Sequence, residues 1–484
     1  MKKIFYSIFI LTSIYLIGCS DDYLDIDQTE SISTADLSLF NNDEGAKSFV
    51  TSIYSKFLEW NMSSFSWNGI TSIASDDADK GSSPGDTGTD KDLLDNLTHN
   101  SSSVSVEEVF RAQYEGINRC NQALFYIPQL DQANEGLRNR LMGEAKFLRA
   151  VMYFNLVRIY GGVPLIDKIP NPSSEEDRIM QLTRKSKEEI YAFIEQDLTD
   201  AIAILPEKSS YPATEIARAS RGAALTLLAK VSLYQSKWDK VIEYTNQLSG
   251  YSLTPDYAEI FKTTGENNQE SIFEIQGFGG NPAKGIQGYS ATQGARGAGG
   301  WGWGFNTPSE SLLNAYETGD TRRDATIIFA GTVLYDGRDV PLTVENPMYN
   351  FKAYSSINSG DWETNVNIRY LRYAEVLLMR AEAFNELGST GEAIIELNKV
   401  RNRANLADTP AVSPADVKLA IWKERRVELA FEHDRYFDLV RTGQAQQAFA
   451  AHGKEFVVGK HEVFPLPQRF INETNGLSIQ NPNY

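Results

Sequence analysis

Residues 141–160 read LMGEAKFLRAVMYFNLVRIY, and the spacing of their apolar side chains predicts the principal helix of the fold. The residues of one face follow in steps of three and four: Leu141, Ala145, Leu148, Met152, Leu156 and Ile159. The other face is also apolar, so we expect this helix to be buried on two sides. The sequence Gly-Gly-Val-Pro at 161–164 ends it.

Two later segments have the pattern of a helical hairpin. Ala229 precedes Val241 by twelve residues, and Ala381 precedes Ala393 by the same interval, with a short polar break inside each pair. Small residues that face each other across a tight turn are typical of tetratricopeptide hairpins, although unrelated antiparallel helix pairs share this feature. Further helices are predicted at about 107–127, 184–205 and 415–441.

Two regions, 60–105 and 265–365, interrupt the helical pattern and are rich in Gly, Ser, Asn and Asp. Loops of this length are uncommon in a compact domain unless they are functional or disordered. We therefore predict a mainly α protein with a tetratricopeptide-like scaffold of helical hairpins at about 107–260 and 366–441. The two loop-rich regions are predicted to be insertions that form the ligand-binding face.

The N-terminus has the features of a secretory signal. Lys2 and Lys3 precede an apolar run, and Cys19 follows Leu-Ile-Gly, so residues 1–18 resemble a bacterial lipoprotein signal peptide. Cys19 is the predicted lipidation site, 19–33 a polar tether and 34–484 the folded domain. An ordinary signal peptide is the alternative. The acidic residues just after Cys19 look like a surface-export signal, or else begin a solvated linker.

Composition excludes several classes of partner. The chain has a formal net charge of -18 and 64 acidic residues, so its surface would repel nucleic acid. No stretch after the signal reaches the ~18 consecutive apolar residues of a membrane-spanning helix, so we expect membrane contact through the lipid anchor only. If Cys19 carries lipid, the one other cysteine, Cys120, has no partner for an intramolecular disulfide.

Enzyme and metal motifs are weak. The sequence GSSPG at 81–85 has a proline where the helix of a nucleophile elbow must begin, and GAGGWG at 297–302 lacks the strand and helix of a dinucleotide fold. The four histidines do not have zinc-ligand spacing. Asp76, Asp77 and Asp79 could hold a structural Ca²⁺, but a solvated acidic turn is the simpler interpretation. We expect no catalytic residue and no cofactor.

The Gly-rich segment carries two tryptophans, Trp301 and Trp303, which are separated and flanked by glycine. Residues two apart in an extended chain project from the same side, so the two indoles would form a flat apolar platform. Sugar rings have apolar C–H faces that stack on such platforms, while the alternative is that both indoles fill the core beneath the loops. The predicted glycan-binding residues are Trp301, Trp303, Trp67, Asp77, Tyr289 and Arg296.

Charge bears on the kind of glycan. Between residues 276 and 308 the basic residues are Lys284 and Arg296 alone. Anionic polysaccharides usually require several Arg or Lys side chains for their carboxylates or sulfates. A neutral oligosaccharide or polysaccharide is therefore favoured, and we choose a β-glucan because paired indoles suit ribbon-like or helical glucans.

Several stretches together resemble the SusD/RagB family of outer-membrane nutrient-binding lipoproteins. They are EAKFLRAVMYFNLVRIYGGVPL at 144–165, RYLRYAEVLLMRAEA at 369–383, ERRVELAFEHDRYFDLVR at 424–441, FPLPQ at 464–468 and NPNY at 481–484. In the third stretch Glu424, Glu428 and Glu432 stand on one helical face beside arginines, so we expect ion pairs that lock this helix to the scaffold.

The resemblance implies a non-enzymatic protein, lipid-anchored in the outer membrane and exposed at the cell surface. It implies capture of a glycan and delivery to a SusC-like TonB-dependent transporter, over which this protein acts as a lid. Two alternatives stay open from the residues: a surface glycoside hydrolase with a helical scaffold, and a repeat scaffold that binds only protein.

Overall fold

The computed structural model describes residues 34–87, 89–278, 285–355 and 363–484. The predicted signal peptide, the tether and the lipidation site Cys19 lie outside these residues. Among the helices of this part of the chain, none combines the length and apolar character required to cross a bilayer.

Helices make up about half of the described chain. They are α1 Thr34–Phe40, α2 Asp43–Lys56, α3 Trp60–Ser63, α4 Phe65–Asn68, α5 Asp90–Asp95, α6 Val104–Tyr126, α7 Glu135–Tyr160, α8 Glu175–Leu182, α9 Lys187–Ile204, α10 Arg221–Tyr234, α11 Trp238–Thr245, α12 Tyr257–Ile260, α13 Tyr289–Gln293, α14 Glu310–Leu313, α15 Tyr373–Glu386, α16 Thr390–Arg403, α17 Pro414–Leu429, α18 Arg435–Arg441, α19 Ala445–Ala451 and α20 Gln468–Glu473.

Helix α7 is the principal helix that the sequence predicts, and it packs against α6 and α9 in the centre of the main hydrophobic core. Asn134 caps its first turn by accepting a hydrogen bond from the backbone N–H of Leu137. The chain leaves the helix at Gly161, whose φ of +73° suits glycine. Both faces of its C-terminal half are buried, as the apolar pattern predicts.

The two predicted hairpins are also confirmed. Helix α10 pairs with α11, α15 pairs with α16, and the two hairpins pack together through α11 and α15. Ala229, Val241, Ala381 and Ala393 are all fully buried where the paired helices meet. Small side chains at these positions let the helix axes approach closely, and this repeated contact builds the mainly α scaffold.

Short strands join the insertions to the scaffold. They are β1 Ala78–Gly81, β2 Ser271–Ile275, β3 Ile286–Gln287, β4 Phe305–Pro308, β5 Ile327–Phe329, β6 Met348–Asn350, β7 Glu363–Thr364 and β8 Ile368–Arg372. They pair antiparallel as β1 with β4, β2 with β8, β3 with β7 and β5 with β6. The pair of β1 and β4 brings the Gly-rich segment beside the region at 60–105.

Two sequence predictions about elements are wrong. The region at 60–105 is predicted to contain few helical runs, but α3, α4, a π-helical turn at Gly69–Ile73 and α5 lie within it, and Trp67 and Ile70 are buried in the main core. The single helix expected at 415–441 is divided into α17 and α18. Phe431 and His433 between them have φ of +62° and +70°, a backbone conformation that no α-helix can continue through.

The end of the chain folds back onto a buried pair of histidines. The Tyr484 hydroxyl lies 3.2 Å from His99 Nε2, and His99 stacks on Phe464 with ring centroids 4.6 Å apart. His461 packs 5.7 Å from His99. Burial lowers the pKa of His99 to about 3 and that of His461 to about 4, because the charged imidazolium would lose its hydration.

Because both histidines have lowered pKa values, we expect the free energy of unfolding to fall in mild acid. Both pKa values lie below the unfolded value of 6.5, so the unfolded chain binds more protons as the pH falls from about 6.5 towards 4. Each histidine then costs about 1.4 kcal/mol of the unfolding free energy per pH unit. Urea denaturation measures the fall in unfolding free energy between pH 6 and pH 5. This fall should be smaller by about 1 kcal/mol in His99→Gln than in the wild type. Equal losses in the two proteins would contradict this account.

Candidate functional site

Three aromatic side chains gather at the surface where α3, α4 and the Gly-rich segment meet. The ring centroid of Trp60 lies 5.0 Å from that of Phe65 and 6.0 Å from that of Trp303. Phe65 and Trp303 lie 6.3 Å apart, and Phe305 of β4 supports Phe65 from the interior at 4.8 Å. Trp303 is 42% exposed, while Trp60 and Phe65 are half-buried. We call Trp60, Phe65 and Trp303 the aromatic platform.

Backbone hydrogen bonds fix the platform in place. The N–H of Trp60 donates to Gln287 Oε1 at 3.0 Å, and the N–H of Gln287 donates to the carbonyl of Leu58 at 2.9 Å. The N–H of Trp303 donates to the carbonyl of Ala291 at 2.8 Å. The short helix α13 and strand β3 therefore hold the Gly-rich segment against the N-terminal helices, so the rings are positioned before any ligand arrives.

A polar rim borders Trp303. Arg296, which is 37% exposed, donates from Nη1 to Ser82 Oγ at 2.8 Å, and its Nε lies 3.5 Å from Glu345 Oε2. Glycine at 304 allows the backbone after Trp303 to approach Arg296 closely. Its φ is +77°, and a Cβ atom there would lie 2.8 Å from Arg296 Cβ. The rim thus offers hydrogen-bonding groups beside an apolar surface, with the Arg296 charge balanced by Glu345.

The structure brings together two of the six predicted glycan-binding residues, Trp303 and Arg296. The expectation that Trp301 projects from the same side as Trp303 is wrong. Trp301 is 8% exposed and packs in a second hydrophobic core. Its ring centroid lies 5.5 Å from that of Tyr354 and 5.1 Å from the Arg338 guanidinium. Glycine at 294 leaves room for this, since a Cβ there would lie 2.7 Å from the indole.

The other three predicted residues are buried away from solvent. Trp67 packs in the main core with its ring centroid 5.9 Å from that of His433, and Tyr289 also belongs to this core. Asp77 accepts a hydrogen bond from Arg426 Nε at 2.7 Å. The sequence pattern places Trp67 and Asp77 in a loop-rich region. Trp67 lies instead on α4 with its side chain in the main core, and Asp77 is buried against Arg426.

Asp76 and Asp77 hold the N-terminal region to the C-terminal helices through arginines. Asp76 accepts hydrogen bonds from Arg435 Nε and Nη2 at 2.7 and 2.8 Å. Burial raises the pKa of Asp76, but the guanidinium groups of Arg435 and Arg426 outweigh it and lower the value to about 2. Within the described ranges, no group of three or more His, Cys, Asp or Glu side chains is placed to hold a metal ion.

Sequence reasoning missed Trp60 and Phe65. Both precede the region where the glycine pattern drew attention, and Phe65 looks like an ordinary apolar residue in a polar stretch. In the sequence they are two aromatic residues five positions apart, on either side of Asn61–Ser64. The two rings come together only because α3 and α4 meet at Ser64.

Comparisons with known proteins agree with this architecture. The profile described as "SusD family" matches residues 342–484, and the profile described as "Starch-binding associating with outer membrane" matches residues 22–233. "SusD-like protein P2" of Formosa agariphila is 29% identical over 532 aligned positions, which cover 100% of both chains.

Solved structures of similar proteins share the fold along nearly the whole chain. A "Laminarin binding SusD-like protein" is 28% identical, with a TM-score of 0.75 over 92% of this chain and 100% of that chain. "Surface glycan-binding protein A" from Bacteroides uniformis is 26% identical, with a TM-score of 0.76 over 90% of this chain and 99% of that one. These relatives are named as binding proteins, and the profiles match both ends of the chain. The chain therefore belongs to the SusD/RagB family of glycan-binding proteins.

Proposed function

We propose that this protein is a cell-surface lipoprotein that captures a neutral β-glucan on the aromatic platform and delivers it to a SusC-like TonB-dependent outer-membrane transporter. The observation that carries the proposal is the exposed aromatic platform with a charge-balanced polar rim. The protein itself performs no chemistry in this role.

The geometry of the platform suits a sugar ligand. Its ring planes are inclined to one another by 44° to 83°, so they form a shallow, angled surface instead of one flat plane. The apolar C–H faces of a pyranose can lie against an indole while its hydroxyls reach Arg296 and Glu345 at the rim. Asn346 also lies there, and its Nδ2 donates to the Ser82 carbonyl at 3.0 Å. A chain that turns, as a helical glucan does, contacts such a surface better than a straight ribbon does.

Charge and kinship favour a β-1,3-glucan over other polysaccharides. The rim pairs Arg296 with Glu345, so it presents no excess of positive charge for an anionic glycan. The relative that is 28% identical is named for binding laminarin. Starch is the competing choice, because one of the matching profiles is described as starch-binding.

Membrane attachment and transport complete the proposal. A lipid on Cys19 would anchor the chain in the outer membrane, in agreement with the description of one matching profile as associating with that membrane. The energy for transport would come from the coupling of the TonB-dependent transporter to the inner membrane.

Affinity electrophoresis of the purified protein tests the proposal. In gels that contain laminarin, amylose, cellulose derivatives or an anionic polysaccharide, we expect retardation by laminarin and little by the anionic polymer. Incubation with laminarin should release no new reducing ends. Retardation by the anionic glycan alone would contradict the proposed specificity, and the appearance of reducing ends would favour a hydrolase.

A further inference from the structure

We infer that an apolar pocket beside the aromatic platform binds an apolar substituent of the glycan, an aryl or acyl group attached to a sugar. This inference rests on the proposed function, since it concerns a decoration of the same ligand. The pocket has a volume of about 310 Å³, which lies at the small end of the range for ligand pockets. Its apolar walls come from the end of α2, from β2 and from the residues after β2: Tyr54, Phe57, Leu58, Phe273, Ile275 and Phe278.

The polar side chains at the pocket wall are occupied within the protein. Arg218 donates to Glu144 Oε2 and to Thr51 Oγ1, both at 2.8 Å. Glu274 accepts a hydrogen bond from the N–H of Asn267 at 3.0 Å and from Asn367 Nδ2 at 2.8 Å. A sugar ring in this pocket would lose hydrogen bonds to water and find few in return. An aryl or acyl group makes few hydrogen bonds to water, so it loses little when it enters the pocket. The pocket therefore favours an apolar group over a sugar ring.

The pocket lies beside the aromatic platform in the fold. Leu58 lines the pocket and Trp60 belongs to the platform. Because these residues are two positions apart in the chain, their Cα atoms are at most about 7.6 Å apart. Gln287 bridges the two sites through its hydrogen bonds to the Leu58 carbonyl and the Trp60 N–H. A substituent on a sugar at the platform is therefore within reach of the pocket.

Phe278 marks the edge of the pocket that faces solvent. Its side chain is 58% exposed although it lines an apolar cavity, and a bound aryl group would cover it. Exposed phenylalanines elsewhere provide a comparison: Phe125 on α6 is 56% exposed and is not among the residues that line the pocket. The pair Phe278→Ala and Phe125→Ala removes the same side chain at matched exposure.

The test uses laminaritriose as its methyl and its phenyl β-glycoside, titrated calorimetrically into the wild type and both variants. We expect the wild type to bind the phenyl glycoside about tenfold more tightly than the methyl glycoside, because burying a few apolar groups has an effect of this size. Phe278→Ala should remove this preference and leave binding of the methyl glycoside unchanged. Phe125→Ala should keep the preference.

A second titration with the neutral dye N-phenyl-1-naphthylamine examines the pocket without any sugar. We expect enhanced dye fluorescence in the wild type and Phe125→Ala, and a weaker signal in Phe278→Ala. Equal affinity for the two glycosides overturns the inference while the proposed function stands. If neither glycoside binds, the proposed function fails, and the dye titration decides whether the pocket takes apolar groups.

Discussion

Replacing Arg372 with methionine is expected to lower the free energy of unfolding by about 3–5 kcal/mol. The Arg372 side chain is fully buried and lies 2.5 Å from Glu428 Oε1, 2.7 Å from Glu270 Oε1 and 2.6 Å from Glu432 Oε2. Its Nη2 also donates to the Glu428 carbonyl at 2.7 Å. Removal of this one cation would take a hydrogen-bonded ion-pair partner from three buried carboxylates.

The surrounding groups cannot compensate fully. Burial raises the pKa of Glu428, but the guanidinium groups of Arg403, Arg372 and Arg322 hold it well below its usual range. Lys352 contacts Glu432 from the other side, and burial lowers the pKa of Lys352 to about 8. The network joins α17 to β8 and to the insertion at 265–365, so its loss would loosen the contact between scaffold and insertion.

The control is Arg323→Met. Arg323 is exposed and pairs with Asp324, which is also exposed, an arrangement that contributes about 0–1 kcal/mol. Urea denaturation monitored by circular dichroism gives both values. If Arg372→Met unfolds at the same urea concentration as Arg323→Met, the buried ion pairs do not stabilise the fold in the way described.

The scaffold was predictable because helix periodicity and turn residues are local properties. The steps of three and four along α7, and the small residues at 229, 241, 381 and 393, report burial directly. The division between α17 and α18 was not predictable. The helical pattern runs across it. The left-handed residues Phe431 and His433 contact segments far away in the sequence: Phe431 packs with Ala78 and Leu312, and His433 Nδ1 lies 2.9 Å from the Thr71 hydroxyl.

The site was only half predictable for a related reason. Trp301 and Trp303 are each flanked by two glycines, but only the Trp301 indole occupies the space that Gly294 leaves beside it. Trp60 and Phe65 lie more than two hundred residues before Trp303, and they meet it only because β1 pairs with β4 and Gln287 binds the start of α3. Contacts of this kind depend on tertiary structure and leave no local pattern.

Trp303→Ala is expected to weaken binding of laminarin by about 2 kcal/mol, or roughly thirtyfold, because central aromatic contacts contribute most of the affinity at such sites. The unfolding free energy should change little, since Trp303 is 42% exposed. Trp301→Ala is the matched comparison two residues away. Its indole is buried in the second core, so this variant should lose about 3–5 kcal/mol of stability.

Isothermal titration of a laminarin oligosaccharide into the wild type and Trp303→Ala tests the central claim most directly, with the melting temperature of each protein measured alongside. The account predicts that the oligosaccharide binds the wild type, and that Trp303→Ala binds it roughly thirtyfold more weakly at an unchanged melting temperature. Equal affinity in the two proteins would show that the sugar binds away from the aromatic platform, and would contradict the account.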